Sequence, residues 1–178
     1  MFLIKRCYFK VKILVFSDSH DRCEKMADIT KQFKSKAGTI DYIIHLGDLV
    51  RDAKYLQEKF PDIPVLYVYG NCDYSFDKRE YEKEYELGGK KFFILHGHTR
   101  NVKYSLDSLK NLAEQKKYDM ILYGHIHVPK EDYHSGTNII CPGSISRDRD
   151  GRGKSYCVID ITGKDMCANI VRIEDRFF

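Results

Sequence analysis

Residues 12–20 read Lys12-Ile13-Leu14-Val15-Phe16-Ser17-Asp18-Ser19-His20. The apolar, β-branched part of this stretch is typical of a buried strand, so Lys12–Ser17 is predicted to be one. Asp18 and His20 then fall on the turn just past the carboxyl end of that strand, where open α/β sheets place their binding sites. The stretch therefore predicts an α/β fold with a functional site beyond its first strand.

The same arrangement, an apolar run followed by metal-ligand residues, recurs four more times at near-even intervals. The runs are Tyr42–Leu46, Val65–Tyr69, Phe92–Leu95 and Met120–Tyr123, and the clusters after them are Gly47-Asp48, Gly70-Asn71, His96-Gly97-His98 and Gly124-His125-Ile126-His127. This spacing is close to one strand plus its connection in an α/β protein. Five such clusters converging on one crevice would form a metal cage.

Hydrophobic periodicity and turn residues predict the other elements. Helices are expected over Asp21–Lys36, Asp52–Phe60 and Ser105–Lys117. Further strands are expected over Asp41–Leu46, Tyr81–Leu87 (a hairpin with Phe92–Leu95), Asp119–Tyr123, Glu131–His134, Thr137–Cys141, Ser155–Ile161 and Met166–Ile173. Parallel units followed by antiparallel strands predict a two-sheet core flanked by helices.

Composition is that of one globular domain. The chain has 178 residues, 43% hydrophobic and 31% charged, and a net charge of only +4, which gives no support for specific nucleic-acid binding. No run approaches the ~18 apolar residues of a membrane span. The six cysteines form no C-x-x-C pair, so reduced thiols and a cytoplasmic location are expected. Met1–Lys10 is predicted to be an N-terminal extension arising from a misassigned start, and residues 11–178 to be a single domain.

The types of ligand point to a hard or borderline divalent cation. Carboxylates and imidazoles without thiolates suit Mn²⁺, Fe²⁺ and Zn²⁺. Asp18 and His20 can reach one metal, whereas His125 and His127 could serve one metal or two. The carboxylate of Asp48 can bridge two cations, and the amide of Asn71 can coordinate metal while donating to substrate.

The order D-x-H, G-D, G-N, H, G-H-x-H resembles the calcineurin-like metallophosphoesterase superfamily. The run of residues 12–20, with Gly70-Asn71-Cys72-Asp73 and Pro142-Gly143-Ser144, resembles its small one-domain prokaryotic phosphodiesterase branch over roughly Val11 to Ile161. The resemblance implies an α/β fold, a two-sheet mixed β-sandwich flanked by helices. It also implies a site for two metals, which are expected to be Mn²⁺, with Fe, Zn, Ni or Mg as alternatives.

The resemblance assigns roles to individual residues. Asp18, His20, Asp48 and His127 would hold the first metal, and Asn71, His96 and His125 would complete the second, with Asp48 as the bridge. The reaction implied is hydrolysis of a small phosphoester, most readily a diester, by a hydroxide that bridges the metals.

Cys72 departs from the wider superfamily, in which a histidine after Gly-Asn is thought to protonate the leaving group. A thiol with a pKa of ~8.5 is a poorer acid than an imidazolium. Asp73 could influence this thiol, and His98 is the substitute acid to consider, so the catalytic candidates are Asn71, Cys72, Asp73 and His98.

Several alternatives stay open. A non-catalytic scaffold on the same fold, as in the metal-poor retromer relative of the superfamily, has no reason to retain a metal cage. A nuclease is a weaker third reading, because larger superfamily nucleases usually carry extra DNA-binding regions.

The roles of several other residues also stay open. His45 is interpreted as a packed or supporting histidine. The loop of Arg147, Arg149, Arg152 and Lys154 is either solvated or sends an arginine to a substrate phosphate. Residues 67–85 are rich in tyrosine and could form a pocket rim or a homo-oligomer interface.

Overall fold

The apolar run of residues 13–16 forms most of β1, the middle strand of one of two five-stranded sheets. The structure, a computed structural model, describes residues 10–74 and 80–173. Its strands are β1 (Lys10–Phe16), β2 (Tyr42–His45), β3 (Val65–Tyr67), β4 (Glu82–Leu87), β5 (Lys90–Leu95), β6 (Met120–Tyr123), β7 (Lys130–His134), β8 (Thr137–Cys141), β9 (Ser155–Thr162) and β10 (Asp165–Arg172). Its helices are α1 (Cys23–Ala37), α2 (Val50–Lys59) and α3 (Asp107–Lys116), with a short 3₁₀ turn at His98–Arg100.

Both sheets are mixed. The first has the order β10-β9-β1-β2-β3, and the second has the order β4-β5-β6-β8-β7. In the first sheet β1, β2 and β3 are parallel and β9 runs antiparallel to β1. In the second, β5, β6 and β8 are parallel, and the edge strands β4 and β7 are antiparallel to their neighbours.

The sheets pack face to face with helices on both outer faces. Ile13 and Val15 of β1 enter the core between the sheets, whereas the alternate residues Leu14 and Phe16 pack with α1 and α2. The second sheet repeats this, since Met120 and Leu122 face the inter-sheet core while Ile121 and Tyr123 pack with α3. Burial on both faces explains the unbroken apolar runs in the sequence. The predicted two-sheet sandwich flanked by helices is confirmed.

Every predicted helix and strand is present, with shifts of a few residues at the ends. The helix predicted from Asp21 begins at Cys23, because Asp21 has a left-handed φ of 68° that a helix does not accept. Helix α2 begins two residues before the predicted Asp52, because the backbone N–H of Val50 donates to Asp73 Oδ1 and so gains a capping partner from a distant loop. The 3₁₀ turn was not predicted.

The predicted extension falls mostly outside the described residues and stays a prediction; Lys10 itself is the first residue of β1 and pairs with Thr162. Across residues 10–74 and 80–173, no helix has the length and apolar character needed to cross a bilayer.

Candidate metal centre

The strand ends bring all seven predicted ligands to one edge of the sandwich. Asp18 and His20 follow β1, Asp48 follows β2, Asn71 follows β3, His96 follows β5, and His125 and His127 follow β6. Parallel strands end at the same edge of a sheet, which is where α/β sheets bind ligands. Four candidates therefore come from the first sheet and three from the second.

The first group consists of Asp18, His20, Asp48 and His127, whose ligand atoms all lie within 4.8 Å of one another. His127 Nε2 is 3.1 Å from Asp18 Oδ1, and His20 Nε2 is 3.7 Å from Asp48 Oδ2. Asp18, Asp48 and His127 are buried, while His20 is half-buried at the rim. This geometry suits one divalent cation.

The second group shares Asp48 with the first. His96 Nε2 lies 3.1 Å from Asn71 Oδ1 and 3.4 Å from Asp48 Oδ1. The rings of His96 and His125 have their centroids 5.1 Å apart. The two oxygens of Asp48 thus face different groups, Oδ2 towards His20 and Oδ1 towards His96.

Hydrogen bonds to backbone carbonyls determine which nitrogen of two histidines is free. His127 Nδ1 lies 3.1 Å from the carbonyl O of Arg147, and His96 Nδ1 lies 2.7 Å from that of Leu46. Since a carbonyl only accepts, each Nδ1 carries the proton, and in the neutral ring Nε2 carries a lone pair. This arrangement, in which a ring N–H donates to a backbone carbonyl, is common for histidines that bind metal.

Those lone pairs face other acceptors. His127 Nε2 meets Asp18 Oδ1, and His96 Nε2 meets the oxygens of Asn71 and Asp48. Asp18 Oδ1 is buried and has no hydrogen-bond partner among the described residues. Acceptors that face one another in a buried site repel unless a proton or a cation lies between them, so the donor set fits a cation.

The charge of Asp18 is consistent with this fit. Burial by itself would raise its pKa, but a proton shared with His127, together with the nearby His96 and the Ser17 hydroxyl, holds the pKa below its usual value. Burial, followed by the proximity of His96, lowers the pKa of His125. At neutral pH the centre therefore offers a carboxylate and a neutral imidazole, the forms that bind metal.

Backbone strain is concentrated at the same residues. Non-glycine residues seldom have positive φ, and such strain clusters at functional sites. Five of the seven candidates have it: Asp18 (53°), His20 (40°), Asp48 (56°), His125 (71°) and His127 (58°). The carbonyl of Asp18 is fixed by the hydroxyls of Ser144, at 2.9 Å, and Ser146, at 2.8 Å. These contacts give a structural role to the motif Pro142-Gly143-Ser144.

Two glycines allow the loops to approach the carboxylates. A Cβ on Gly70 would lie 2.1 Å from Asp48 Oδ1 and 2.4 Å from Asp48 N. A Cβ on Gly124 would lie 2.1 Å from Ser17 Oγ and 3.0 Å from Asp18 Oδ2. A larger residue at Gly70 would displace Asp48, and a larger residue at Gly124 would displace Ser17, whose hydroxyl donates to Asp18 Oδ2.

His45 supports the candidate centre through hydrogen bonds that reach the backbone of Asp48. It is fully buried in β2, and its Nδ1 accepts a hydrogen bond from the N–H of Gly47 at 3.3 Å. Nε2 therefore carries the proton and donates to Ser19 Oγ at 2.9 Å, and the Ser19 hydroxyl donates to the carbonyl O of Asp48 at 3.2 Å. Burial lowers the pKa of His45 to about 4, so the ring stays neutral and can hold this chain of hydrogen bonds.

The candidate acids differ in what they can do. The pKa of the Cys72 thiol is raised to about 11, by burial and by the charge of Asp48, so the thiol is a weak acid. Asp73 accepts the N–H groups of Val50 at 2.6 Å and Gly70 at 2.7 Å, which makes it a brace between α2 and the Asn71 loop. His98 packs edge-on against Tyr81 at 4.8 Å, and burial, followed by the proximity of His96, lowers its pKa. None of the three therefore offers a readily lost proton for a leaving group at neutral pH, as an imidazolium would.

Comparison with known proteins identifies the family. A model of the calcineurin-like phosphoesterase superfamily domain matches residues 11–164. The chain belongs to the calcineurin-like phosphoesterase superfamily. It is 31% identical over 152 residues, 85% of each chain, to the probable metallophosphoesterase YsnB of Bacillus subtilis. It is 26% identical over 148 residues, 75% of this chain and 83% of the relative, to the phosphodiesterase MJ0936 of Methanocaldococcus jannaschii.

A solved structure supports the fold of this calcineurin-like phosphoesterase. Vacuolar protein sorting 29 from Cryptosporidium parvum superimposes with a TM-score of 0.74 over 94% of this chain and 93% of its own, at 16% identity. That similarity concerns the fold alone. Membership of the superfamily and the candidate metal-binding group support phosphoester hydrolysis that depends on divalent metal.

Proposed function

We propose that this protein is a phosphodiesterase that binds two divalent cations and hydrolyses small phosphodiesters. The observation that carries the proposal is the position of Asp48, whose two carboxylate oxygens face two separate groups of candidate ligands. Asp18, His20, Asp48 and His127 would hold one cation, and Asp48, Asn71, His96 and His125 the other. Mn²⁺ is the proposed metal because the set contains carboxylate, amide and imidazole but no thiolate.

A pair of such cations would neutralise charge on the phosphate oxygens and would lower the pKa of a bound water, which could then act as the nucleophile. The chain itself contributes pre-set geometry. The N–H of Cys72 donates to Asp48 Oδ1 at 2.9 Å, and the N–H of His125 donates to Asp18 Oδ2 at 3.0 Å. These bonds hold both carboxylates in position before substrate binds.

The preference for diesters is inferred from the weak acid at position 72. With the pKa of Cys72 raised to about 11, protonation of a leaving oxygen by this thiol is unfavourable at neutral pH. Leaving groups that are stable as anions should therefore react fastest. A diester also brings one less negative charge than a monoester dianion, and its second substituent can gain contacts beside the centre.

A non-catalytic scaffold is the competing function, since the fold is also that of vacuolar protein sorting 29. The complete set of candidate ligands and the strained turns that carry them favour the enzyme. A scaffold that binds through its surface would gain nothing from left-handed backbone at Asp18, Asp48 and His127.

The test is a panel of metals and substrates on purified protein that has been stripped with a chelator. Mn²⁺, Zn²⁺, Ni²⁺, Fe²⁺ and Mg²⁺ are each supplied with bis-(p-nitrophenyl) phosphate or p-nitrophenyl phosphate, and bound metal is counted by elemental analysis. We expect two metals per chain and faster hydrolysis of the diester with Mn²⁺. A folded protein that binds metal but hydrolyses neither ester would favour the scaffold.

A further inference from the structure

A cavity of about 260 Å³ adjoins the candidate metal centre. Cys72 lines it, and the N–H of the same residue donates to Asp48 Oδ1, so cavity and centre share a wall. Pockets that enclose whole small molecules measure ~300–1,000 Å³. This cavity is therefore of a size to receive one substituent of a substrate whose phosphate lies at the centre.

The walls of the cavity are fixed by hydrogen bonds. One wall is the first turns of α2, with Arg51 and Lys54, and the other is the segment from Tyr69 to Tyr74. Asp73 joins the two walls through the N–H groups of Val50 and Gly70. The Tyr69 ring is supported edge-on by Tyr67, at a centroid distance of 6.1 Å. The cavity is thus formed before any ligand enters.

Among the described residues that line the cavity, one cation has no charged partner. The Arg51 guanidinium is paired with Asp21, and both oxygens of Asp73 accept backbone N–H groups. Lys54 is exposed and forms no ion pair within residues 10–74 and 80–173. The cavity therefore combines an aromatic side chain with an ammonium group that is free to meet an anion.

We propose that this cavity binds the leaving group of the substrate, and that this leaving group carries a ring and a further phosphate. This inference rests on the proposed phosphodiesterase function. The ring packs against Tyr69, and the added phosphate meets Lys54 with support from Arg51. A nucleotide presents this combination of groups. The position of Cys72 between centre and cavity places the subsite on the side where the resemblance puts the leaving oxygen.

The test uses two diesters that release the same chromophore. The first is methyl p-nitrophenyl phosphate, and the second is the same ester with a phosphonomethyl group on its nitrophenyl ring, so the shared chromophore is the nitrophenolate group, which carries the phosphonomethyl substituent in the second ester only. Each substrate is compared between unmodified protein and variant, so differences in intrinsic reactivity between the two esters cancel. Lys54→Ala should lower kcat/KM for the ester with the phosphonomethyl group about three- to fivefold, the size of one exposed ion pair, and leave kcat/KM for the ester without it unchanged.

Two further variants complete the design. Lys54→Arg keeps the positive charge, so it should leave the ratio of the kcat/KM values for the two esters as it is in the unmodified protein. Lys36→Ala, near the end of α1 and outside the cavity, removes the same charge and should affect neither ester selectively. If the unmodified protein hydrolyses neither ester with any metal, the phosphodiesterase proposal fails. If it hydrolyses both, but Lys54→Ala changes them equally or behaves like Lys36→Ala, the subsite is overturned and the phosphodiesterase proposal stands.

Discussion

The buried ring of His45 should make the stability of this protein depend on pH in a predictable way. Burial lowers its pKa to about 4, although the charges of Asp52, Asp73 and Asp18 act to raise it. In the unfolded chain the pKa of a histidine is ~6.5. Between these two values the unfolded state binds a proton that the folded state does not, so the free energy of unfolding falls as the pH falls through this window.

The size of the effect follows from the two pKa values. A difference of about 2.5 pKa units corresponds to about 3 kcal/mol once the pH is below both values. Between pH 7 and pH 5 the same relation gives a loss of about 2 kcal/mol from this histidine alone. That is a large share of the ~5–15 kcal/mol by which a domain of this kind is stable.

Urea unfolding of protein without metal, at pH 7 and at pH 5, measures this term. His45→Gln should lower stability at both values, because it disturbs the hydrogen bond to Ser19, but its loss between pH 7 and pH 5 should be about 2 kcal/mol smaller than that of the unmodified protein. His134→Gln, in a partly exposed ring bonded to Glu114, is the matched control and should keep the original pH dependence. If His45→Gln loses as much stability as the unmodified protein over this range, His45 is not buried in its neutral form and the argument is wrong.

Three other predictions concern the centre directly. Asp48→Asn should reduce the rate of hydrolysis of bis-(p-nitrophenyl) phosphate by orders of magnitude and should lower the bound metal to fewer than two ions per chain, while the circular dichroism spectrum is unchanged. The exposed Asp28→Asn is the control. Near-normal turnover by Asp48→Asn would refute the two-metal assignment. Gly70→Ala puts a methyl group 2.1 Å from Asp48 Oδ1 and should destabilise the fold in urea by about 2 kcal/mol. Gly89→Ala, which has a φ of 73° and meets no atom within 4 Å, should cost only the strain of its positive φ, about 1 kcal/mol, and equal losses of stability in the two variants would contradict the close approach of Gly70 to Asp48. Cys72→His should narrow the ratio of diester to monoester rates by restoring an imidazolium donor, and an unchanged ratio would assign protonation to another group.

The elements of this fold could be predicted because the chain alternates sharply between apolar runs and turns. Residues 13–16 are buried on both faces of β1, so their sequence is continuously apolar and the strand is easy to recognise. The ends were less predictable. The start of α2 depends on the carboxylate of Asp73, 23 residues away, and no local signal marks that contact.

The convergence of the candidate ligands on one edge of the sandwich could also be predicted from the sequence, because each of them follows a strand. The hydrogen bonds around these residues could not be predicted from the sequence. The carbonyl of Arg147 that fixes the proton of His127 lies 20 residues further along the chain, and Ser19 meets a histidine 26 residues away. Such contacts are set by the folding of the loops against one another, and the residue types alone do not specify them.

The centre is built across the boundary between the two sheets, which connects its geometry to the core. Asp18 and Asp48 extend from the first sheet, whereas His96 and His127 extend from the second. The distances between them, 3.1 Å for His127 to Asp18 and 3.4 Å for His96 to Asp48, are therefore distances between sheets. The side chains that keep the sheets apart by a fixed amount, such as Val15 and Leu122 in the shared core, thus set the spacing of the candidate ligands. Close packing allows little adjustment in this core, so the apolar runs that predict the sandwich also determine whether the candidate ligands of the two sheets meet at one centre.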